Sequence, residues 1–173
     1  MSRTLVLVRH AKAEGAHPGG DHERRLAERG WRDAEALGEM LVGQGRCPDL
    51  VLVSTAVRAR ETLRGLLGPR EIQTWATRRI YDGGVDGVAE AIREVPDEVE
   101  VLWVVGHEPV MSTSAWDLGD ADTVPEVARE QLSSGLSTSS AAVLELDLPW
   151  SEIGHGSARL VDVHTGRGAD AAP

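Results

Sequence analysis

Residues Thr4 to His10, Thr-Leu-Val-Leu-Val-Arg-His, set the architecture. Thr4 to Val8 is a short apolar run without polar alternation, and it ends on a charged pair, Arg9-His10. That is the pattern of a strand covered on both faces, as in a parallel sheet. Leu50 to Val53 and Val101 to Val105 repeat it. The intervening segments carry helical spacing: Trp31, Ala34, Leu37 or Gly38, and Leu41; then Ala59, Thr62, Leu63, Leu66 and Leu67; then Val85, Val88, Ala89 and Ile92. Each set falls on one face of a helix. Strand, helix, strand, helix predicts an α/β fold, a three-layer α/β/α sandwich around a mostly parallel sheet.

The last third reads differently. Ala142, Leu144, Leu146 and Leu148 alternate with Val143, Glu145 and Asp147, and Arg159 to His164 is a second strand candidate. Alternation predicts strands near the sheet edge, in antiparallel pairing. Glu71 to Thr74 is a further short strand candidate, while Gly119 to Thr138 reads as loop and short helix. Trp31, Trp75 and Trp103 read as core or half-buried packing. Gly166 to Pro173 is expected to be a frayed tail. With no internal repeat and no linker, residues 1–173 are expected to form a single domain, large enough to bury about 70% of its unfolded surface.

Composition narrows the class. A hydrophobic share of 41% with 27% charged residues is that of an ordinary soluble globular protein. The formal net charge of -10 argues against a nonspecific nucleic-acid binder and against a partner of anionic membranes. It leaves room for a phosphate pocket, because a few clustered arginines set the local potential. Cys47 is the single cysteine, so no intrachain disulfide forms, which fits a reducing compartment. The start, Met1 to His10, has too short an apolar run for a signal peptide, and no stretch reaches the length of a membrane span. The expected location is the cytoplasm.

In open α/β sheets, ligands bind beyond the carboxyl ends of the strands. The first strand runs into Arg9-His10, the second into Ser54 and then Arg58, and the third into Gly106-His107. Two histidines and two arginines therefore converge on one edge. Two of the turns lead into helices, with Pro109 suited to a helix start, so helix N-termini add a field favourable to an anion.

Three motifs carry a family resemblance. LVLVRHAKA from Leu5 to Ala13, STAVRARET from Ser54 to Thr62 and VVGHEP from Val104 to Pro109 resemble, in order and spacing, the signature segments of the histidine phosphatase superfamily. The Arg-His-Ala-Lys-Ala form and the short chain resemble its SixA-type phosphohistidine phosphatase branch, and ERRLAERG from Glu23 to Gly30 is similar to that branch's Arg-Pro-Leu-Thr segment. Arg25 and Ala27 stand where the branch has proline and threonine; the second change removes a helix N-cap, a cost of about 1 kcal/mol.

The resemblance implies a phosphoglycerate mutase-like fold and a phosphatase that uses no metal or other cofactor. It implies that His10 is the nucleophile, forming a phosphohistidine that water then hydrolyses. Arg9 and Arg58 would grip the phosphoryl oxygens, His107, if protonated beside the phosphate dianion, would donate a further bond, and Arg24 would close over the phosphate from its loop. Asp21 is the candidate general acid, with Asp82 and Glu108 behind it. If none of them serves, a phosphoramidate substrate is favoured over an alkyl ester. Expected partners are a phosphorylated protein or a small phosphorylated metabolite.

The alternatives are a cofactor-dependent phosphomutase of the same superfamily and a non-catalytic phosphate-binding module. The short interval between Arg58 and His107 leaves little room for a mutase's extra cap, and a binder has no need of a nucleophile. His17, His22 and Asp21 match no common zinc spacing, and His155 and His164 read as surface residues.

Overall fold

The computed structural model describes residues 2–169. Its strands are β1 (Arg3–Arg9), β2 (Leu50–Ser54), β3 (Gln73–Thr77), β4 (Val101–Gly106), β5 (Ser140–Leu146) and β6 (Arg159–Thr165). Its helices are α1 (Glu28–Gly43), α2 (Val57–Leu67), α3 (Arg78–Asp82), α4 (Gly84–Arg93), α5 (Val110–Leu118) and α6 (Glu126–Leu132), with short 3-10 turns at Asp21–Glu23 and Trp150–Glu152. The sheet order is β3-β2-β4-β1-β5-β6. The first four strands in the chain pair in parallel, and β5 runs antiparallel to both β1 and β6.

The three apolar runs are the three central parallel strands, because each buries both faces. In β1, Leu5 and Leu7 join one core cluster with Leu102, Val104, Ile92 and Met111, while Val6 and Val8 join the other with Leu37, Leu66 and Trp103. The first core lies under α3 to α6 and the second under α1 and α2, which gives the three layers. The helices of the second layer pack closely through glycine: a β-carbon on Gly38 would strike the Leu66 carbonyl oxygen, and one on Gly65 would fall 2.7 Å from the Ala34 β-carbon.

Both strands of the last third lie near the sheet edge, as expected. The antiparallel strand is β5, one place in from the edge, and β6 is the edge strand. From Ser140 to Leu144 every residue of β5 is buried, with Ala141 and Val143 against one core and Ala142 and Leu144 against the other. Only Glu145, half-buried and paired to Arg159 at 3.1 Å, keeps the alternation. The candidate at Glu71 to Thr74 is β3, begun two residues later, an edge strand with exposed Gln73, Thr74 and Ala76.

The expected frayed tail is docked where it is described. The Gly166 amide donates to the Ser139 carbonyl, Arg167 to that of Thr138, and the Gly168 amide to Oδ1 of buried Asp33. Residues 170–173 of that expected tail lie outside the described residues. Helix α1 begins after Ala27 without a side-chain cap, as its sequence implies. The loop before it is held instead by Glu61, which accepts from the Leu26 amide at 3.0 Å and from Arg25 at 3.2 Å.

Candidate active site

Strands β2, β4 and β1 lie side by side, so their three carboxyl-end turns open on one edge of the sheet. His10 is fixed first through its backbone. Its amide donates to the Gly106 carbonyl at 3.0 Å, and its carbonyl accepts from Ser139 at 3.1 Å. Its Nδ1 lies 2.7 Å from the Ala11 carbonyl oxygen, which can only accept, so the proton sits on Nδ1 and the lone pair on Nε2. Arg58 Nε donates to that Nε2 at 3.3 Å. The residue is 8% exposed. Burial lowers its pKa to about 4; the Ala11 hydrogen bond opposes this, and the charges of Arg58, Arg9 and Arg24 add to it.

His107 lies beside it, with ring centroids 5.3 Å apart. Its Nε2 is 2.8 Å from the Ser54 hydroxyl. The Ser54 oxygen also accepts from the Ala56 amide and keeps a second lone pair, so it can either donate to the ring at Nε2, leaving the ring proton on Nδ1, or accept from it. That Nδ1 is buried and has no partner among the described residues. Burial first, then the charges of His10 and Arg58, lower the His107 pKa to about 3, against an opposing effect of Asp21. Burial and the neighbouring charges thus favour the neutral ring in this state.

Arg58 lies in the first turn of α2 and is 5% exposed. Thr62 locks this turn to the first strand: its hydroxyl donates to the Arg58 carbonyl at 2.7 Å and accepts from the Ala11 amide at 3.0 Å. The far side of the guanidinium is taken by Asp21, through Nη1 to its carbonyl at 2.8 Å and Nη2 to Oδ2 at 3.1 Å. Asp21 also accepts from the Tyr81 hydroxyl at 2.9 Å and from Arg24 Nε at 3.1 Å. Burial pushes its pKa up, but the hydrogen bonds of Tyr81, Arg58 and Arg24 outweigh that and hold it at about 2. At neutral pH this favours the carboxylate, which accepts from all three donors.

The reserve candidates are also occupied. Asp82 is paired to Arg78 at 2.9 Å, and Glu108 accepts from the Ser112 amide and hydroxyl and from the Leu136 amide. Arg9 is half-buried at the end of β1, with Nη1 on the Leu136 carbonyl at 2.9 Å and a buried Nε that has no partner among the described residues. Arg24 reaches back to the Glu14 carbonyl at 3.1 Å. His17 accepts from the Gly19 amide, and His22 meets Thr55 and Glu23.

Tyr81, the chain's one tyrosine, is the site residue that sequence reasoning passes over. Besides bonding Asp21, it sets its ring edge-on to His107 at 5.5 Å and to His22 at 4.8 Å. The available signal is positional. It lies in the short helix after β3, at the carboxyl end of a strand in the same sheet. Ser139, at φ 54°, is a second, supplied by the last third of the chain.

The two histidines set a pH dependence of stability. Both folded pKa values lie below the ordinary 6.5, so below that pH the unfolded chain binds protons that the folded chain refuses. Their share of the stability is complete above 6.5 and is lost as the pH falls toward about 4, a loss of roughly 3 kcal/mol for His10. Urea unfolding at pH 7 and pH 4.5 checks this. His107→Gln is expected to lose less stability across that interval than the wild type, and identical losses would refute the assignment.

A family model of the histidine phosphatase superfamily (branch 1) matches residues 5–120. An uncharacterized protein of Mycobacterium tuberculosis (strain ATCC 25618 / H37Rv) is 38% identical over 164 residues, covering 92% of this chain and 100% of its own. A solved structure from Nakamurella multipartitia, named for the phosphohistidine phosphatase SixA, is 32% identical with a TM-score of 0.85, covering 96% of this chain and 97% of its own. Another of that name, from Agrobacterium tumefaciens, is 29% identical with a TM-score of 0.74, covering 94% and 97%.

Proposed function

Because the chain belongs to the histidine phosphatase superfamily (branch 1), we propose that it is a phosphatase that hydrolyses a phosphohistidine protein or a small phosphate ester through a phosphohistidine formed on His10. The observation that carries this reading is the state of His10. Its ring is neutral, its tautomer is set by the Ala11 carbonyl, and its Nε2 lone pair meets Arg58 Nε. A neutral imidazole with a directed lone pair attacks without a separate base. The Nε2–phosphorus bond forms as the bond to the leaving group breaks, and water then splits Nε2 from phosphorus to release inorganic phosphate.

The donors fit that chemistry. Arg58 lies at the nucleophile, so its guanidinium follows the phosphoryl oxygens during transfer. Arg9 Nε is a buried donor without a partner among the described residues, which a phosphoryl oxygen would satisfy, as it would His107 Nδ1 when that nitrogen carries the ring proton. Arg24, on the far side of Asp21, completes the cationic rim. These groups supply the positive charge that a metal supplies in other phosphoryl-transfer sites.

The leaving group decides between substrates. An alkoxide needs an acid, and Asp21, Asp82 and Glu108 are all engaged as hydrogen-bond acceptors. A phosphorylated imidazole leaves as a neutral ring once its second nitrogen is protonated, which solvent supplies near its ordinary pKa. This favours a phosphoramidate, and with it the SixA-type reading, over an alkyl ester. A leaving-group series tests it. Phosphoramidate is expected to turn over at least about 100-fold faster than an alkyl phosphate, and Asp21→Asn is expected to keep aryl phosphate turnover within about threefold. Equal rates on the two wild-type substrates, or a large loss in the variant on alkyl but not aryl phosphates, would restore Asp21 as the acid.

The mutase alternative is disfavoured by the interval between Arg58 and His107, which the rest of α2, β3, α3, α4 and β4 fill. The proposed unit is one domain in the cytoplasm; no described helix is long and apolar enough to cross a membrane.

A further inference from the structure

Of the seventeen arginines, fifteen hold a hydrogen bond or an ion pair. Arg60 and Arg64 have neither among the described residues. Both are exposed, one turn apart on α2, and they flank a concave surface closed on its other side by His17 and Arg25. Their placement works against the helix. Like charges at this spacing repel, and Arg60 lies in the first turn, at the positive end of the helix dipole. Of the acidic groups of the hollow, Glu61 pairs with Arg25 on the same rim and with the Leu26 amide, which leaves Arg60 and Arg64 against one further carboxylate, Glu23, itself turned to His22 at 3.2 Å. In a chain of net charge -10 the hollow is therefore a local excess of unpaired positive charge.

It also adjoins the loop that holds Arg58. His17 borders a second hollow, lined by Asp21 and Arg24, and Asp21 holds Arg58. Resting on the phosphatase reading above, we propose that the Arg60–Arg64 face of α2 docks an acidic segment flanking the phosphohistidine of a protein substrate. Unpaired rim arginines accelerate encounter with an acidic partner and set its salt dependence, and they contribute nothing to a substrate too small to reach them.

Two phosphohistidine peptides test this, one flanked by glutamates and one by glutamines at the same positions, with phosphoramidate as the small control. In the wild type, kcat/KM is expected to favour the glutamate peptide by about tenfold at low salt, and the preference to shrink in high salt. The double variant Arg60→Glu, Arg64→Glu is expected to lose or reverse that preference while hydrolysing phosphoramidate at the wild-type rate. Equal use of both peptides by the wild type, or a preference that survives in the variant, overturns the docking surface and leaves the phosphatase reading intact. Failure on both peptides and on phosphoramidate overturns the reading beneath it.

Discussion

His10→Ala is expected to lower turnover of phosphoramidate and of aryl phosphates by about 10⁴-fold or more, with KM or phosphate affinity changed far less. The size follows from what is removed. Without the ring there is no Nε2 lone pair and no two-step route, and the remaining donors can only orient a direct attack by water. Arg58 would keep its two bonds to Asp21, so the cationic site persists and inorganic phosphate is still expected to bind. Titration calorimetry with phosphate, alongside steady-state kinetics, separates the two effects. Retained turnover in a variant that still binds phosphate would remove His10 from the mechanism.

Arg58→Ala is expected to cost about 10³-fold in kcat/KM, the order found when a guanidinium is taken from a phosphoryl-transfer site. Three losses combine. The lone pair of His10 loses its Nε–H partner, the transferred group loses a charged donor, and Asp21 loses both bonds it accepts from the guanidinium. Arg58→Lys should recover little, because a single ammonium cannot face His10 and Asp21 at once as the planar fork does. Kinetics of both variants, with unfolding midpoints to confirm that they are folded, check this. A lysine variant close to wild type would mean that only charge, not the fork, is used.

What is legible in the sequence follows from burial. β1, β2 and β4 have neighbours on both edges and helices on both faces, so their composition is apolar throughout and their ends are sharp. The residues just past those ends are therefore legible too: His10, Arg58 and His107 meet on one edge, with the charge of Arg9 acting on His10. β3 is blurred because an exposed edge strand of Gln-Thr-Trp-Ala-Thr needs few apolar residues. β5 reads as an edge strand because Glu145 and Asp147 create an alternation that its buried first five residues do not share.

Long-range polar contacts leave the least trace. Tyr81 and Asp21 are sixty residues apart, and no period or motif joins them. The segment that follows β6, Gly166 to Gly168, has the composition of a loose end, yet it is held by Ser139, Thr138 and Asp33. Asp21 is recognisable as a site residue from its place before Arg24. Its ionised state depends on three donors from separate segments and can be read only once they are brought together.

The central claim is the covalent intermediate on His10, and rapid quenching tests it most directly. The protein is mixed with radiolabelled phosphoramidate, quenched in alkali within a single turnover, and digested. An acid-labile, base-stable phosphate is expected on the peptide containing His10, formed at least as fast as turnover and absent from His10→Ala. Steady turnover with no labelled peptide, or label on another residue, would contradict it.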